Sequence, residues 1–191
     1  MIPRPYLYIA FGLMAVLQLA LPLRTVVDYE STLRNGDAYK FATRPIDPND
    51  PFRGKYVTLD FVPIEDELPT DLLIALGLYV SYGQSLYLII EKDARGYARA
   101  VDLRTELPTE EVAYVPVTAG SAKYRDGQVV GLNLHYPFDR FYLEESKAPR
   151  AEARYREALR RDSVETYAVV HLRDGVAVIA DVMIDGMSLV E

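Results

Sequence analysis

The stretch "YAVVHLRDGVAVIADVMI", residues 167 to 184, says more about the fold class than any other. Two runs rich in β-branched residues, Tyr167 to Arg173 and Val176 to Ile184, flank Asp174-Gly175. Asp-Gly between apolar runs is a strong hairpin signal, because a two-residue turn that follows strand twist needs positive φ at both central positions. The pattern recurs upstream. Leu86 to Lys92 and Tyr97 to Thr105 flank "DARG", residues 93 to 96. Val112 to Val117 is apolar, and Val129 to Tyr136 follows Asp126-Gly127. The expected class is therefore mainly β (α+β), with one antiparallel β-rich domain. A short helix near 150–161, "RAEARYREALRR", interrupts it, with Ala151, Tyr155, Ala158 and Leu159 on its apolar face.

Composition limits the function classes. The chain has 191 residues, half of them hydrophobic, which suffices for one domain with a sizeable core. It has 15 tyrosines and no tryptophan, and tyrosine suits strands. The net charge of −7 repels phosphate backbones, so nucleic-acid binding is not expected. With no cysteine, disulfides, thiol nucleophiles, Cys-ligated zinc and a lipoprotein anchor are excluded.

The N-terminus carries the strongest physical signal. Tyr6 to Leu23, "YLYIAFGLMAVLQLALPL", contains no charge and one glutamine. As a helix it is about 27 Å long, close to the thickness of a hydrocarbon core. Tyr6 and Tyr8 sit where aromatic rings favour the interface. Arg4 and the terminal amine precede the segment, which points to a cytoplasmic N-terminus, although Arg24 follows at once. A cleaved signal peptide is the competing reading. Ala20 would serve at −1, but Gln18 is a poor residue at −3. Thr25 to Arg34 has helical spacing and stops at Asn35-Gly36. The expected organisation is a transmembrane anchor over 1–24, a helical stalk over 25–36 and the β-rich domain over 37–191. Leu72 to Ile90 is also uncharged, and a second span is the alternative there. Glycines and serines interrupt its middle, so it reads better as a short helix capped by Thr70 and Gly77, followed by a buried strand.

Between these elements lies "RPIDPNDPFRGKYVTLDF", residues 44 to 61. Asp47-Pro48 and Asp50-Pro51 favour turns, and Gly54 permits positive φ. Val57, Leu59 and Phe61 then alternate with Tyr56, Thr58 and Asp60, which predicts a central strand with its odd positions in the core. Tyr56 and Leu59 have opposite parity, so burying both needs a bulge or cover on both faces.

"DPFRGKYVTLDF" resembles the signature of the GDYXXLXY family of membrane-anchored proteins. Gly54, Tyr56 and Leu59 match it directly, whereas Lys55 stands for its aspartate and Phe61 for its last tyrosine. "LRNGDAYKFATRPIDPNDP", "YPFDRFYLEE" and "HLRDGVAVIADVMIDG" are similar to that family as well. The resemblance implies a single-pass anchor, an extracytoplasmic domain and association with a multi-spanning membrane protein. It implies no activity. Lys55 removes any acid, base or ligand role of the signature aspartate, which favours a structural motif. The residues singled out on this basis are Asp47, Asp50, Arg53, Gly54, Tyr56, Leu59, Phe61, Arg140 and Glu144.

Catalytic readings are weaker. His135 and His171, the only histidines, lie inside strand patterns, and no metal or other cofactor is expected. Asp47 and Asp50 could bind Ca²⁺ through oxygens, but their prolines explain them more simply. Arg53, Arg140 and Glu144 read as strand-end charges or a binding patch. A membrane-tethered hydrolase using Ser31 and Lys40 is the alternative from another class. The expected protein is a non-enzymatic accessory or interaction module at the outer face of a bacterial cytoplasmic membrane. It is anchored in lipid through residues 6–23 and binds a polytopic partner.

Overall fold

The computed structural model describes residues 4–44, 56–142, 157 and 164–189. The expected helix at 150–161, apart from the helical Glu157, lies outside these residues, as do Asp47, Asp50, Arg53, Gly54 and Glu144.

Helix α1, Arg4–Asn35, runs 32 residues without a break and includes Pro22. Among the described residues it is the one helix long and apolar enough to cross a membrane, and none of its apolar window is buried by the rest of the chain. Strand β1, Asp37–Arg44, follows at once. Next come β2, Tyr56–Thr58, and β3, Asp60–Phe61. A 3₁₀ turn, Ile64–Glu67, leads to α2, Thr70–Tyr79. The second half holds β4, Ser85–Lys92; β5, Ala98–Arg104; β6, Tyr114–Arg125; and β7, Gln128–His135. It ends with β8, Arg140–Tyr142; β9, Thr166–Arg173; β10, Val176–Ile184; and β11, Met187–Ser188.

The strands form a five-stranded sheet, β11-β10-β9-β1-β3, a four-stranded sheet, β5-β4-β6-β7, and the pair β2-β8. All these pairings are antiparallel. β1 joins the two larger sheets. It pairs with β9 from Asp37↔Leu172 to Ala42↔Tyr167. On its other edge the Lys40 N–H donates to Gly96 O at 3.0 Å, and Thr43 pairs with Phe61. Apolar side chains from both sheets share one core, which includes Phe41, Leu88, Val115, Leu132, Val170 and Val182.

The Asp-Gly signals are all observed. Asp126-Gly127 and Asp174-Gly175 both have positive φ at the two positions, as a twist-matched hairpin requires. Asp185-Gly186 does the same and starts β11, a third such hairpin that was not foreseen.

Three local expectations need correction. Thr70 is not the cap of α2; Pro69 precedes the helix and caps it with no side-chain bond. Gly77 does not end α2, which runs on to Tyr79. It is a close-approach glycine instead, since a Cβ there would meet Val129 Cγ1 at 2.8 Å and Gly131 O at 3.0 Å. Finally, residues 56–61 do not form one central strand. β2 pairs only with β8, while β3 lies at the edge of the five-stranded sheet. The break falls at Leu59, whose N–H donates to Asp139 O at 2.8 Å while the chain crosses from β8 to β1. Leu59 and Phe61 are nevertheless buried, and Thr58 and Asp60 exposed, as the alternation predicts. The side chains of Tyr56 and Val57 lie outside the description.

Two substitutions test this account through thermal melting. Gly175 has φ near +76, and a Cβ there would fall 2.6 Å from the Tyr114 ring; Gly127 has the same backbone but open space. Gly127→Ala should cost about 1 kcal/mol from the left-handed backbone alone, and Gly175→Ala clearly more. Leu59→Ala should cost about 2–5 kcal/mol, as for other buried leucines.

Candidate functional site

Two places in the fold gather side chains with more than packing to do. The first is the joint between α1 and the β-domain. Thr32 is 2 % exposed although it lies in the last turns of a helix that is otherwise almost wholly exposed. Its hydroxyl donates back to Asp28 O at 2.8 Å, so burial leaves it satisfied. Around it, His171 Nδ1 on β9 lies 2.8 Å from Leu33 O, and Arg173 Nη1 donates to Ser31 Oγ at 3.0 Å. The Gly36 N–H donates to Thr32 O at 2.8 Å. A Cβ on Gly36 would fall 2.5 Å from Thr32 O, so only glycine lets the helix end turn this tightly into β1. The helix stop foreseen at Asn35-Gly36 is observed, and its cause is this close approach.

The second place is a cleft of about 410 Å³ between β1, the 3₁₀ turn, the β4–β5 turn and the start of β9. Thr43 and Thr166 lie on its buried side, and the Thr43 hydroxyl donates to that of Thr166 at 2.9 Å. Its rim carries charge of both signs, from Glu67, Asp93, Arg95, Arg99 and Glu165. The Tyr97 hydroxyl donates to Glu165 Oε1 at 2.8 Å. Burial, then that hydrogen bond and the Glu165 charge, hold the Tyr97 phenol well above its ordinary range. Asp93 Oδ1 accepts from the N–H groups of Tyr97 and Arg95, both at 2.8 Å, which fixes the β4–β5 turn. The Tyr97 N–H, first among these, holds the Asp93 carboxyl below its usual value. Such a rim suits a ligand surface of mixed charge. The two threonine hydroxyls are engaged with each other, so neither is set up as a nucleophile.

The residues singled out from the sequence scatter. Leu59 and Phe61 are core residues, and Phe61 packs edge-on to Phe41 and Phe138 with ring centres 6.0 and 5.4 Å apart. Arg140 is exposed on β8, with its Nε 3.6 Å from Asp139 Oδ1. Ser31 and Lys40 are not brought together as a dyad. Ser31 accepts from Arg173, and the Lys40 ammonium lies over the Tyr97 and Tyr167 rings, 5.6 and 5.0 Å from their centres. The two histidines sit on different sheets, and His135 packs edge-on to Tyr82. Among the described residues no three His, Asp or Glu side chains converge as metal ligands would.

Sequence reasoning missed Thr32, His171 and Arg173 as a joint. The one available signal is their position: Thr32 lies one turn before the helix stop, and "HLR" leads directly into the turn at Asp174. Only the pairing of β1 with β9 brings the two segments together.

The model of the GDYXXLXY protein family matches residues 18–182. The match begins inside α1 and ends in β10, so it includes the joint, β2 and β3, and every strand but β11. No curated protein and no solved structure matches the chain. A family match over most of its length shows that the chain belongs to the GDYXXLXY protein family.

Proposed function

We propose that this protein is a membrane-anchored interaction module whose β-domain lies outside the cytoplasmic membrane of a bacterium and binds a polytopic membrane protein. The observation that carries the reading is the joint. An unburied apolar helix continues into a stalk that β9 grips at Ser31 and Leu33, on either side of the buried Thr32. About nine residues separate Leu23 from Thr32, or about 14 Å along the helix. That distance holds the domain close above the headgroup layer. The grip fixes the orientation of the domain on its anchor, so one face is presented to membrane neighbours. Confinement to the membrane raises the effective concentration of such a neighbour without any added contact area. Arg4 and the terminal amine ahead of the span favour a cytoplasmic N-terminus. Lipid contacts residues 6–23, and the mixed-charge cleft is available for a protein surface.

Affinity recovery of the full chain from detergent-solubilised membranes should bring down one multi-spanning protein in fixed ratio. Recovery of the chain alone, at native expression, refutes the partner. A reporter fused after Glu191 should be active only outside the cytoplasm, and cytoplasmic activity refutes the topology. His171→Ala with Arg173→Ala should cost roughly 1–3 kcal/mol in melting, about one hydrogen bond each. The same pair should sharply reduce recovery of the partner while the domain remains folded.

A further inference from the structure

The 3₁₀ turn Ile64–Glu67 carries three acidic residues in a row, and each reaches a different element. Glu67 Oε2 faces Arg99 Nε of β5 at 3.9 Å. Asp66 Oδ1 takes the Lys123 ammonium of β6 at 2.6 Å. Glu65 turns inward. It is 2 % exposed, and its Oε2 accepts a 2.6 Å hydrogen bond from the Tyr136 hydroxyl, just past β7. The Tyr136 ring packs against Phe41, Phe61 and Phe138, with centres 6.2, 6.1 and 5.6 Å away. A carboxyl group at such a depth is an unusual choice. Glutamine would accept the same hydrogen bond without a charge to desolvate. Ile64 and Glu67 of this turn also line the mixed-charge cleft.

We propose that Glu65 and Tyr136 form a pH-dependent latch, which holds the 3₁₀ turn and its wall of the cleft against the four-stranded sheet and loosens as the carboxyl group ionises. The charged and titratable groups around it are Tyr136 after β7, Lys123 on β6, Arg99 on β5, and Asp66 and Glu67 on the turn itself. Burial is the largest influence and raises the Glu65 pKa above its ordinary 4.5; the Tyr136 hydrogen bond, a backbone hydrogen bond and Lys123 oppose it without cancelling it. The folded protein therefore holds this proton more tightly than the unfolded chain. The resulting stabilisation is complete below about pH 4.5 and is lost as pH rises through the higher folded value. Ionised Glu65 leaves a buried carboxylate with only neutral donors, the Tyr136 hydroxyl and its own backbone N–H, and movement of the turn admits water to it. The Asp66–Lys123 and Glu67–Arg99 pairs tie the same turn from outside, where their carboxylates are half exposed and solvent screens them.

The test uses the full chain in detergent micelles, with thermal melting and hydrogen exchange of the segment 63–70 between about pH 5 and about pH 8. After correction for intrinsic exchange, protection of that segment should fall with rising pH, by up to about tenfold per unit between the ordinary carboxyl value and the raised folded one, and level off above it. Glu65→Gln should flatten the dependence in both measurements and melt higher than the wild type at the alkaline end. Tyr136→Phe removes a hydrogen bond that favours the carboxylate, so it should move the exchange transition to higher pH. The proposal is overturned if wild-type protection does not change with pH, or if Glu65→Gln keeps the wild-type slope. Should Glu65→Gln fail to fold, the wild-type profile and the direction of the Tyr136→Phe shift decide the matter. A downward or absent shift would then refute it.

Discussion

β1 has to satisfy its backbone on two edges with partners from very different parts of the chain. One edge takes β9, near the C-terminus; the other takes Gly96, at the β4–β5 turn, and then β3. One residue, Gly36, separates the end of the long helix α1 from the start of this strand. Its Phe41 is almost fully buried among rings supplied by β3 and by the segment between β7 and β8. If β1 lost either edge, the two larger sheets would lose their backbone connection at Lys40 and part of their shared core. The rest of the architecture depends on that double pairing.

The same pairing produces the joint. β1 and β9 run antiparallel, so the residue that starts β1, Asp37, lies opposite Leu172. The end of α1 must then sit beside the β9–β10 turn. His171 and Arg173 bond to it from there, and Gly36 gives the backbone room to make the corner. A helix attached by a loose tether would leave the domain free to tumble relative to it. Here two hydrogen bonds, from His171 and Arg173, hold the end of the helix to the sheet around a buried threonine.

The segment after β3 uses the opposite strategy. Its three carboxylates tie a short turn to the four-stranded sheet, two through exposed ion pairs and one through a buried hydrogen bond. Exposed pairs add little to stability and much to placement. The buried group is costlier and more responsive, because its free energy depends on its charge. One wall of the cleft is therefore set by electrostatics, while the side formed by Thr43 and Thr166 is set by two buried hydroxyls.

The sequence by itself determined the features whose causes are local. The apolar run of α1, the Asp-Gly turns at 126 and 174, and the burial of Leu59 and Phe61 depend on neighbours within a few positions. Tertiary structure decided which strands meet. The pairing of β1 with β9 joins residues far apart in the chain, and no local pattern encodes that partner. The same holds for the misread details. Gly77 is a helix stop by local rules, yet α2 passes through it, and glycine is needed there because β7 approaches too closely for a Cβ. Leu59 breaks its strand because the chain changes partners from β8 to β1 at that point. Thr32 and Glu65 look like solvent-facing residues in sequence, and both are buried only because distant strands close over them. Turn chemistry and periodicity act over a few residues, whereas partner choice and burial are settled by packing the whole core at once, and that information is spread along the chain.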